Sequence, residues 1–203
     1  MAGPAMAQQG RGGRGGFGGG LGMLLNNPSV QQELKLDATQ TQKAKAVADK
    51  AREKFKANRG SFEDLHGEAR FKKMQELNRE VNAEVNKEIK EFLTPEQIHR
   101  LHQIQHQVQG AHAFTDEHVQ NKLKLTDAQK TEIQEIVRAS HAETHKIWED
   151  AQADREAMKA KMAEHRKETL AKVDAKLTDE QKAIWKELVG DPFEIKWERH
   201  GGH

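Results

Sequence analysis

Histidine is the residue type with the widest chemical use in this 203-residue chain, which contains 11 histidines and no cysteine. His99, His102 and His106 recur at positions i, i+3 and i+7, so they would share one face of a helix. His141 and His145 form a second pair at i and i+4. Imidazole is a common ligand of zinc, copper and nickel, so either group could bind a transition metal with further ligands. Candidates for those ligands are His112, His118, Glu143 and a carboxylate from a partner.

The alternative interpretation is that these histidines are solvated residues on the polar faces of helices. His99 and His106 would lie about 10 Å apart along a helix axis, so only neighbouring pairs could share one ion. Without cysteine, a buried structural zinc site is not expected. His200 and His203 have the character of tail residues. The sequence therefore requires no cofactor and leaves zinc, copper or nickel as optional ligands.

The sequence lacks the motifs of the common enzyme classes. It has no nucleophile elbow, phosphate-binding loop, His-Glu-x-x-His signature or dinucleotide fingerprint. Its carboxylates alternate with basic residues at helical spacing, as at Glu149, Arg155 and Lys159, which is typical of surface ion pairs. We therefore expect a protein that is not an enzyme.

Composition narrows the class of protein further. Hydrophobic residues make up 35% of the chain, charged residues 32%, and the mean hydropathy is −0.93, which favours thin helical layers over one thick core. The net charge is +1 with both signs interspersed, so nothing indicates nucleic acid or an anionic membrane as the partner. No apolar run approaches the roughly 18 residues that a membrane span needs.

One short motif recurs along the chain and predicts helix starts. In Leu-Thr-x-x-Gln the Thr side chain can cap a helix, while Gln three residues later can bond back to the backbone N–H of the cap residue. A looser copy replaces Thr with Asp37. The motif positions are Leu36 and Gln40; Leu93, Thr94 and Gln97; Leu125, Thr126 and Gln129; and Leu177, Thr178 and Gln181.

The chain contains an internal repeat. Residues 27–36 align with residues 116–125 at an offset of 89, and this alignment keeps the pattern Val-x-x-x-Leu-x-Leu. The later motifs align at an offset of 84, as Leu93 does with Leu177, so the second copy is five residues shorter in its middle. We expect each copy to contain a short hook helix, a long helical stretch and a closing helix.

These patterns predict an all-α fold with tandem hooked helical hairpins. In the first copy the long stretch should break at residues 58–61, giving helices over about 38–58 and 62–92, with Gly60 in the left-handed conformation. In the second copy the sequence allows either a turn near residues 150–154 or one long helix to about Ala175. The predicted division is a disordered Gly/Arg-rich tether at 1–23, repeats at 24–110 and 111–190, and a tail at 191–203, whose Ile195 and Trp197 could pack back.

Some apolar residues could serve either the core or a binding surface. Met158 and Met162 lie on a rough apolar stripe, and Trp148 ends another that begins at Ile133. Methionine is unbranched and flexible, so such residues could adapt to varied apolar partners. Packing in the core is the alternative interpretation.

Leu-Thr-x-x-Gln motifs at the two ends of a helical hairpin, preceded by a hook helix, define the Spy/CpxP family of periplasmic proteins, and residues 24–190 resemble that family. The resemblance implies a structural role for the motif residues and an all-α hooked hairpin that dimerises into a shallow cradle. It further implies ATP-independent chaperoning of partly unfolded proteins, while related members bind zinc, nickel or copper and report envelope stress. Because the unit occurs twice here, the halves could pair within one chain; a homodimer is the alternative.

The first residues add a prediction about location. Ala5-Met6-Ala7 before Gln8 is similar to the cleavage site of a secretory signal, although the charged start and apolar stretch are absent. An ordinary Ala-rich terminus is the alternative. Together with the family resemblance, this sequence predicts export to the periplasm. The further alternatives to a chaperone are a metal or stress sensor and a structural component of the envelope.

Overall fold

The computed structural model describes residues 20–150 and 154–197, and every regular element within them is a helix or a 3₁₀ turn. This confirms the all-α prediction. The predicted tether over residues 1–19 and the tail residues His200 and His203 lie outside the described residues. None of the described helices combines the length and apolar character that a transmembrane span requires. The helices are α1 Leu21–Leu25, α2 Pro28–Glu33, α3 Ala38–Ala57, α4 Gly67–Ile89, α5 Pro95–Gln109, α6 Glu117–Leu123, α7 Asp127–Asp150, α8 Arg155–Asp174 and α9 Asp179–Val189.

The first repeat consists of helices α1 to α5. α3 and α4 pack against each other, and α1 contacts both of them. Leu21, Leu24 and Leu25 of α1 are fully buried in the core that α3, α4 and α5 share. α1 thus fills the space at the base of the first hairpin, although the sequence predicted a tether as far as residue 23.

The second repeat has the same order of elements. The 3₁₀ helix Gly110–Thr115 takes the place of α1 and contacts both α7 and α8, which pack against each other. We call α1 and this 3₁₀ helix the plug segments. Asp154 has an extended backbone and caps α8 through its side chain, so one continuous helix from residue 127 to about 175 does not form. Phe114 of the plug is fully buried in a second core.

The predicted capping boxes are present at all four helix starts. The side chains of Asp37, Thr94 and Thr178 each accept a hydrogen bond from the backbone N–H three residues later. The Gln at that position accepts one in turn, through its side-chain oxygen, from the backbone N–H of the cap residue. At the fourth start, Thr126 N–H donates to Gln129 Oε1 (3.0 Å), and Gln129 N–H donates to Thr126 Oγ1 (3.2 Å). The motif is therefore a helix start in both repeats, for the reason that predicted it.

The hook helices end in the same unusual way. Lys35 after α2 and Lys124 after α6 both have φ of +51°, the left-handed conformation that L-residues seldom adopt. In each repeat the following leucine N–H then bonds to a carbonyl five residues back, which satisfies an end group of the helix. Since the two lysines are 89 residues apart, this feature repeats at the same offset as the sequence.

The turn of the first hairpin differs from the prediction. Residues Arg59–Phe62 form a 3₁₀ turn, and α4 begins only at Gly67, not at residue 62. Gly67, rather than Gly60, has a positive φ, of +53°. The physical reason is Phe62, which is buried and draws the turn against the core, so the chain needs several more residues before α4 can start.

The halves meet through their closing helices, because α5 packs against α9. Gln103 Nε2 of α5 donates to the carbonyl of Glu187, its own equivalent in α9 (3.2 Å). Such a contact between equivalent residues is what an approximate two-fold axis produces. The segment after α9 then returns to the first repeat, where Ile195 packs on the core as predicted, together with Phe193. The prediction that Trp197 also packs back is wrong, since that side chain is 51% exposed.

Candidate functional site

The two glutamines of each repeat form a reciprocal pair at the base of its hairpin. Gln40 Nε2 donates to Gln97 Oε1 (2.9 Å), and Gln97 Nε2 donates to Gln40 Oε1 (3.2 Å) and to the Leu34 carbonyl (3.1 Å). These bonds tie α3, α5 and the hook helix together. They consume the polar groups of both side chains, so the pair is structural and offers nothing to a ligand.

The second repeat has the same pair. Gln129 Nε2 donates to Gln181 Oε1 (2.8 Å), and Gln181 Nε2 donates to Gln129 Oε1 (3.0 Å) and to the Leu123 carbonyl (3.2 Å). Every partner is the equivalent of one in the first repeat. The Leu-Thr-x-x-Gln residues therefore position the elements around a site but do not form one.

The three histidines of α5 do not converge on a common point. His99 is exposed, His102 Nε2 lies 2.7 Å from Asn86 Oδ1, and His106 Nδ1 lies 3.0 Å from the carbonyl oxygen of Leu188. The interpretation of this group as solvated polar residues is wrong for His106, which is buried between the repeats, and for the half-buried His102. Both are buried because the polar face of α5 packs against neighbouring helices.

Burial keeps two of these imidazoles neutral. Loss of hydration, with smaller repulsions from neighbouring histidines and Lys90, lowers the pKa of His102 to about 4. Burial also lowers the pKa of His106, opposed by its hydrogen bond to the Leu188 carbonyl. Neutral side chains with protein partners of this kind contribute to packing between helices.

The second histidine pair is divided between two environments. His145 is exposed, with Nδ1 3.4 Å from Glu149 Oε1, whereas the His141 ring lies against the ring of His112 at 4.6 Å between centroids. Burial lowers the pKa of His141. Among the described residues, no group of three or more His, Cys, Asp or Glu side chains could hold a metal ion. Metal binding through these residues stays a prediction.

A polar cluster joins α7 to α8 midway along the second hairpin. Ser140 Oγ lies 2.8 Å from His165 Nε2, which is also 3.1 Å from the Ser140 carbonyl oxygen. Thr169 Oγ1 lies 3.2 Å from Ser140 Oγ and 2.8 Å from the His165 carbonyl oxygen. We call these three residues the polar node.

The node resembles a serine–histidine dyad only at first sight. A general base must accept a proton at the ring nitrogen that faces the serine. Here the same Nε2 also faces the Ser140 carbonyl oxygen, which can only accept, so Nε2 carries a proton and donates it. Ser140 and Thr169 are buried in addition. The node is a hydrogen-bonded contact between helices.

From His165 of the polar node outward, the described part of the second hairpin has no buried core. We define the distal arm as residues 141–150 of α7 and 155–168 of α8, which include His165; none of its side chains that the structure describes is buried. Met158 and Met162 are half-buried, and Trp148 is 39% exposed. The predicted client-binding residues therefore lie in the distal arm, Trp148 on α7 and Met158 and Met162 on α8, outside both cores and with part of their apolar surface in water.

Charges of both signs surround this apolar surface. The ion pairs that the structure describes in the distal arm each join residues three or four apart on one helix. They are Lys146–Glu143 (3.4 Å) and Lys159–Glu156 (2.6 Å), and His145 Nδ1 also lies 3.4 Å from Glu149 Oε1 one turn along α7. The arm is thus a pair of amphiphilic helices whose charges pair within each helix.

Comparison of the chain with family models, with curated proteins and with solved structures finds no significant match. The resemblance to the Spy/CpxP family therefore rests on the motif residues and their spacing.

Sequence reasoning missed the polar node. None of Ser140, His165 and Thr169 was singled out as a candidate site residue. The repeat alignment contained the signal, because these three positions correspond to Ala51, Val81 and Val85 of the first repeat at the offsets of 89 and 84. Polar residues at positions that are apolar in the other copy indicate a place where the two repeats differ in how their helices pack.

Proposed function

We propose that this chain is a non-enzymatic, exported helical protein of the Spy/CpxP type that binds partly unfolded proteins without ATP. The observation that carries the proposal is the distal arm, where Trp148 of α7 is 39% exposed and Met158 and Met162 of α8 are half-buried. Export and the family type are supported by the capping motifs and their order along the chain, together with the small residues near its start.

The mechanism is weak burial of client apolar groups against the distal arm. Fully burying one large apolar side chain contributes about 1.5–3 kcal/mol, and a side chain that is already half-buried contributes less. A few such contacts, offset by the entropy of ordering the client, give low affinity and fast release. No nucleotide is required, because release follows from the weakness of each contact.

The rim of the arm explains why clients of different charge would be accepted. Glu143, Lys146, Glu149 and Lys159 alternate in sign around the apolar residues, so the surface neither attracts nor repels one charge strongly. The flexible methionine side chains adapt to different apolar shapes. The arm would therefore recognise exposed apolar surface and not a particular sequence.

Suppression of client aggregation tests the proposal. Wild-type protein should keep a chemically denatured client soluble when present in several-fold excess, and a variant with Trp148→Ser, Met158→Gln and Met162→Gln should lose most of that activity. Trp197→Ser is the matched control, since Trp197 is also exposed but lies on the C-terminal segment. Normal aggregation of the client in the presence of excess wild-type protein would overturn the proposal.

A further inference from the structure

We infer that α7 and α8 separate beyond the polar node and that an apolar segment of the client enters between them. The identity of the entering segment rests on the proposed function, whereas the separation of the helices is a property of this chain alone. The inference places the client inside the distal arm, in addition to the exposed face that carries Trp148.

The first observation is the row of side chains between the two helices. Because Ser140 faces His165 and Thr169, helical spacing places Thr144 and Ile147 in the next layers, opposite Met162 and Met158. All four of these side chains are only half-buried. The helices therefore enclose an apolar row that they do not remove fully from water.

The second observation is how the arm is held. The described ion pairs of the arm lie within single helices, so separating α7 from α8 leaves them intact. The node, by contrast, joins the two helices through hydrogen bonds at Ser140, His165 and Thr169. Regions with few buried apolar contacts open at low free-energy cost, so the arm should open first and the node should mark where opening stops.

The first hairpin shows what a closed arm looks like in the same chain. Its core extends to the turn through Phe62, Leu77 and Val81, all buried. Lys54 there bridges from α3 to Glu80 (2.8 Å) and Glu84 (2.5 Å) of α4. In the described part of the distal arm, the equivalent residues form no buried core and the ion pairs described there lie within single helices, although the base of the second hairpin is the same.

The chemistry of the row identifies its occupant. Ile147, Met158 and Met162 present apolar surface of adaptable shape, which fits a short uncharged apolar stretch of an unfolded chain. The charges outside the row alternate in sign and would remain in water on both sides of that stretch. A second folded copy of this protein offers paired helices, which do not fit into a gap between two helices.

Hydrogen exchange of the full-length protein without client tests the separation. Amides of residues 141–150 and 155–168 should exchange at least tenfold faster than those of residues 44–57 and 77–89, after correction for intrinsic rates. Equal protection of the two hairpins would overturn the inference. Protection of the arm that rises with protein concentration would also overturn it, because a second copy would then be the occupant.

Cross-linking tests the entry of the client. The chain has no cysteine, so Thr144→Cys with Lys161→Cys introduces the only two thiols and leaves Trp148, Met158 and Met162 in place; Lys161 is exposed and precedes His165 by one helical turn. A short bismaleimide of about 8 Å, close to the spacing of packed helices, would hold α7 and α8 together. The same variant labelled with two molecules of N-ethylmaleimide is the matched control, because both forms carry the same substitutions and modified thiols.

We expect the cross-linked form to need at least tenfold more protein than the control for half-suppression of aggregation. Equal activity of the two forms would overturn client entry and leave binding on the exposed face alone. If neither the wild-type protein nor the control suppresses aggregation, the proposed function fails, and hydrogen exchange still decides whether the helices separate.

Discussion

The bases of the two hairpins carry the same set of hydrogen bonds. Each has a reciprocal glutamine pair, one member of which donates to the carbonyl at the end of the hook helix. Each hook helix ends at a left-handed lysine, Lys35 or Lys124. Even the bond from a hook-helix glutamine to the plug segment recurs, at the carbonyls of Leu25 (2.6 Å) and Phe114 (3.0 Å).

The distal halves of the same hairpins differ in almost every respect. In the first repeat, buried apolar residues continue to the turn, and Lys54 of α3 pairs with Glu80 and Glu84 of α4. In the second repeat, burial ends at Ser140 and Thr169, and the residues beyond are half-buried or exposed.

The two hairpins are therefore alike at their bases and different in their distal halves. The motif residues are needed wherever a hairpin must be closed at its base, so they recur at both offsets. The arm is free to diverge because the base does not depend on it. The second arm has apolar residues but no buried apolar contacts among its described residues, whereas the first arm has both. A binding surface is expected where apolar residues are not buried in the core.

Truncation of an apolar side chain should give the largest difference in unfolding free energy between the two arms. Leu77→Ala in the first hairpin removes a buried side chain and should lower the free energy of unfolding by about 3 kcal/mol. Met162→Ala in the second arm should cost less than about 1 kcal/mol, because that side chain is half in water already. Urea unfolding of both variants measures this. Equal costs would show that the second arm has a core after all.

Loss of a motif glutamine should lower the free energy of unfolding by the same amount in either repeat. Gln97→Ala and Gln181→Ala each remove a helix-cap bond and leave a hook-helix carbonyl and a second glutamine without their partner, which should cost about 2 kcal/mol. Glu180→Ala, at an exposed position beside Gln181, is the control and should have little effect. A cost confined to one repeat would mean that the two bases are not equivalent in energy.

The base of each hairpin could be predicted from the sequence because its cause is local. A Thr followed three residues later by Gln specifies a capping box wherever it occurs, so Thr94, Thr126 and Thr178 were assigned without knowledge of the fold. The internal repeat could be recognised for the same reason, because the motifs that define it are local in sequence. Helix type and order follow from these starts and from the apolar periodicity between them.

The rest depends on contacts that periodicity does not encode. The first three residues of α1 were predicted as the end of a tether, because a five-residue helix has no periodic signal and only the burial of Leu21 reveals that the core begins there. His102 and His106 looked solvated, since a polar face gives no sign that another helix will cover it. Predicting the polar node would have required both the repeat alignment and the knowledge that α7 packs against α8.

Acid should lower the free energy of unfolding through His102 of α5, which has no histidine counterpart in α9. α5 carries His102 where α9 carries Lys186, and the pKa of His102 is about 4 in the folded protein against about 6.5 when unfolded. The unfolded chain therefore binds more protons between these values, so stability is complete above pH 6.5 and falls as the pH drops toward 4. By pH 5 the loss should be about 1–2 kcal/mol. Urea unfolding at pH 7 and pH 5 should show a flatter dependence in His102→Gln; an unchanged dependence would contradict this cause.

Conversion of the node to the residues of the first repeat should have the smallest net effect. Ser140→Ala alone removes the group that His165 and Thr169 both approach, and should cost about 1–2 kcal/mol. The triple variant with His165→Val and Thr169→Val removes all the partners at once, so no polar group is left unsatisfied. It should lie within about 1 kcal/mol of the wild-type stability in urea unfolding, closer than the single variant does. Because valines would then pack between α7 and α8, hydrogen exchange in the distal arm should slow toward that of the first hairpin. A triple variant that is less stable than Ser140→Ala would show that the hydrogen bonds of the node stabilise the hairpin more than the apolar contacts that replace them.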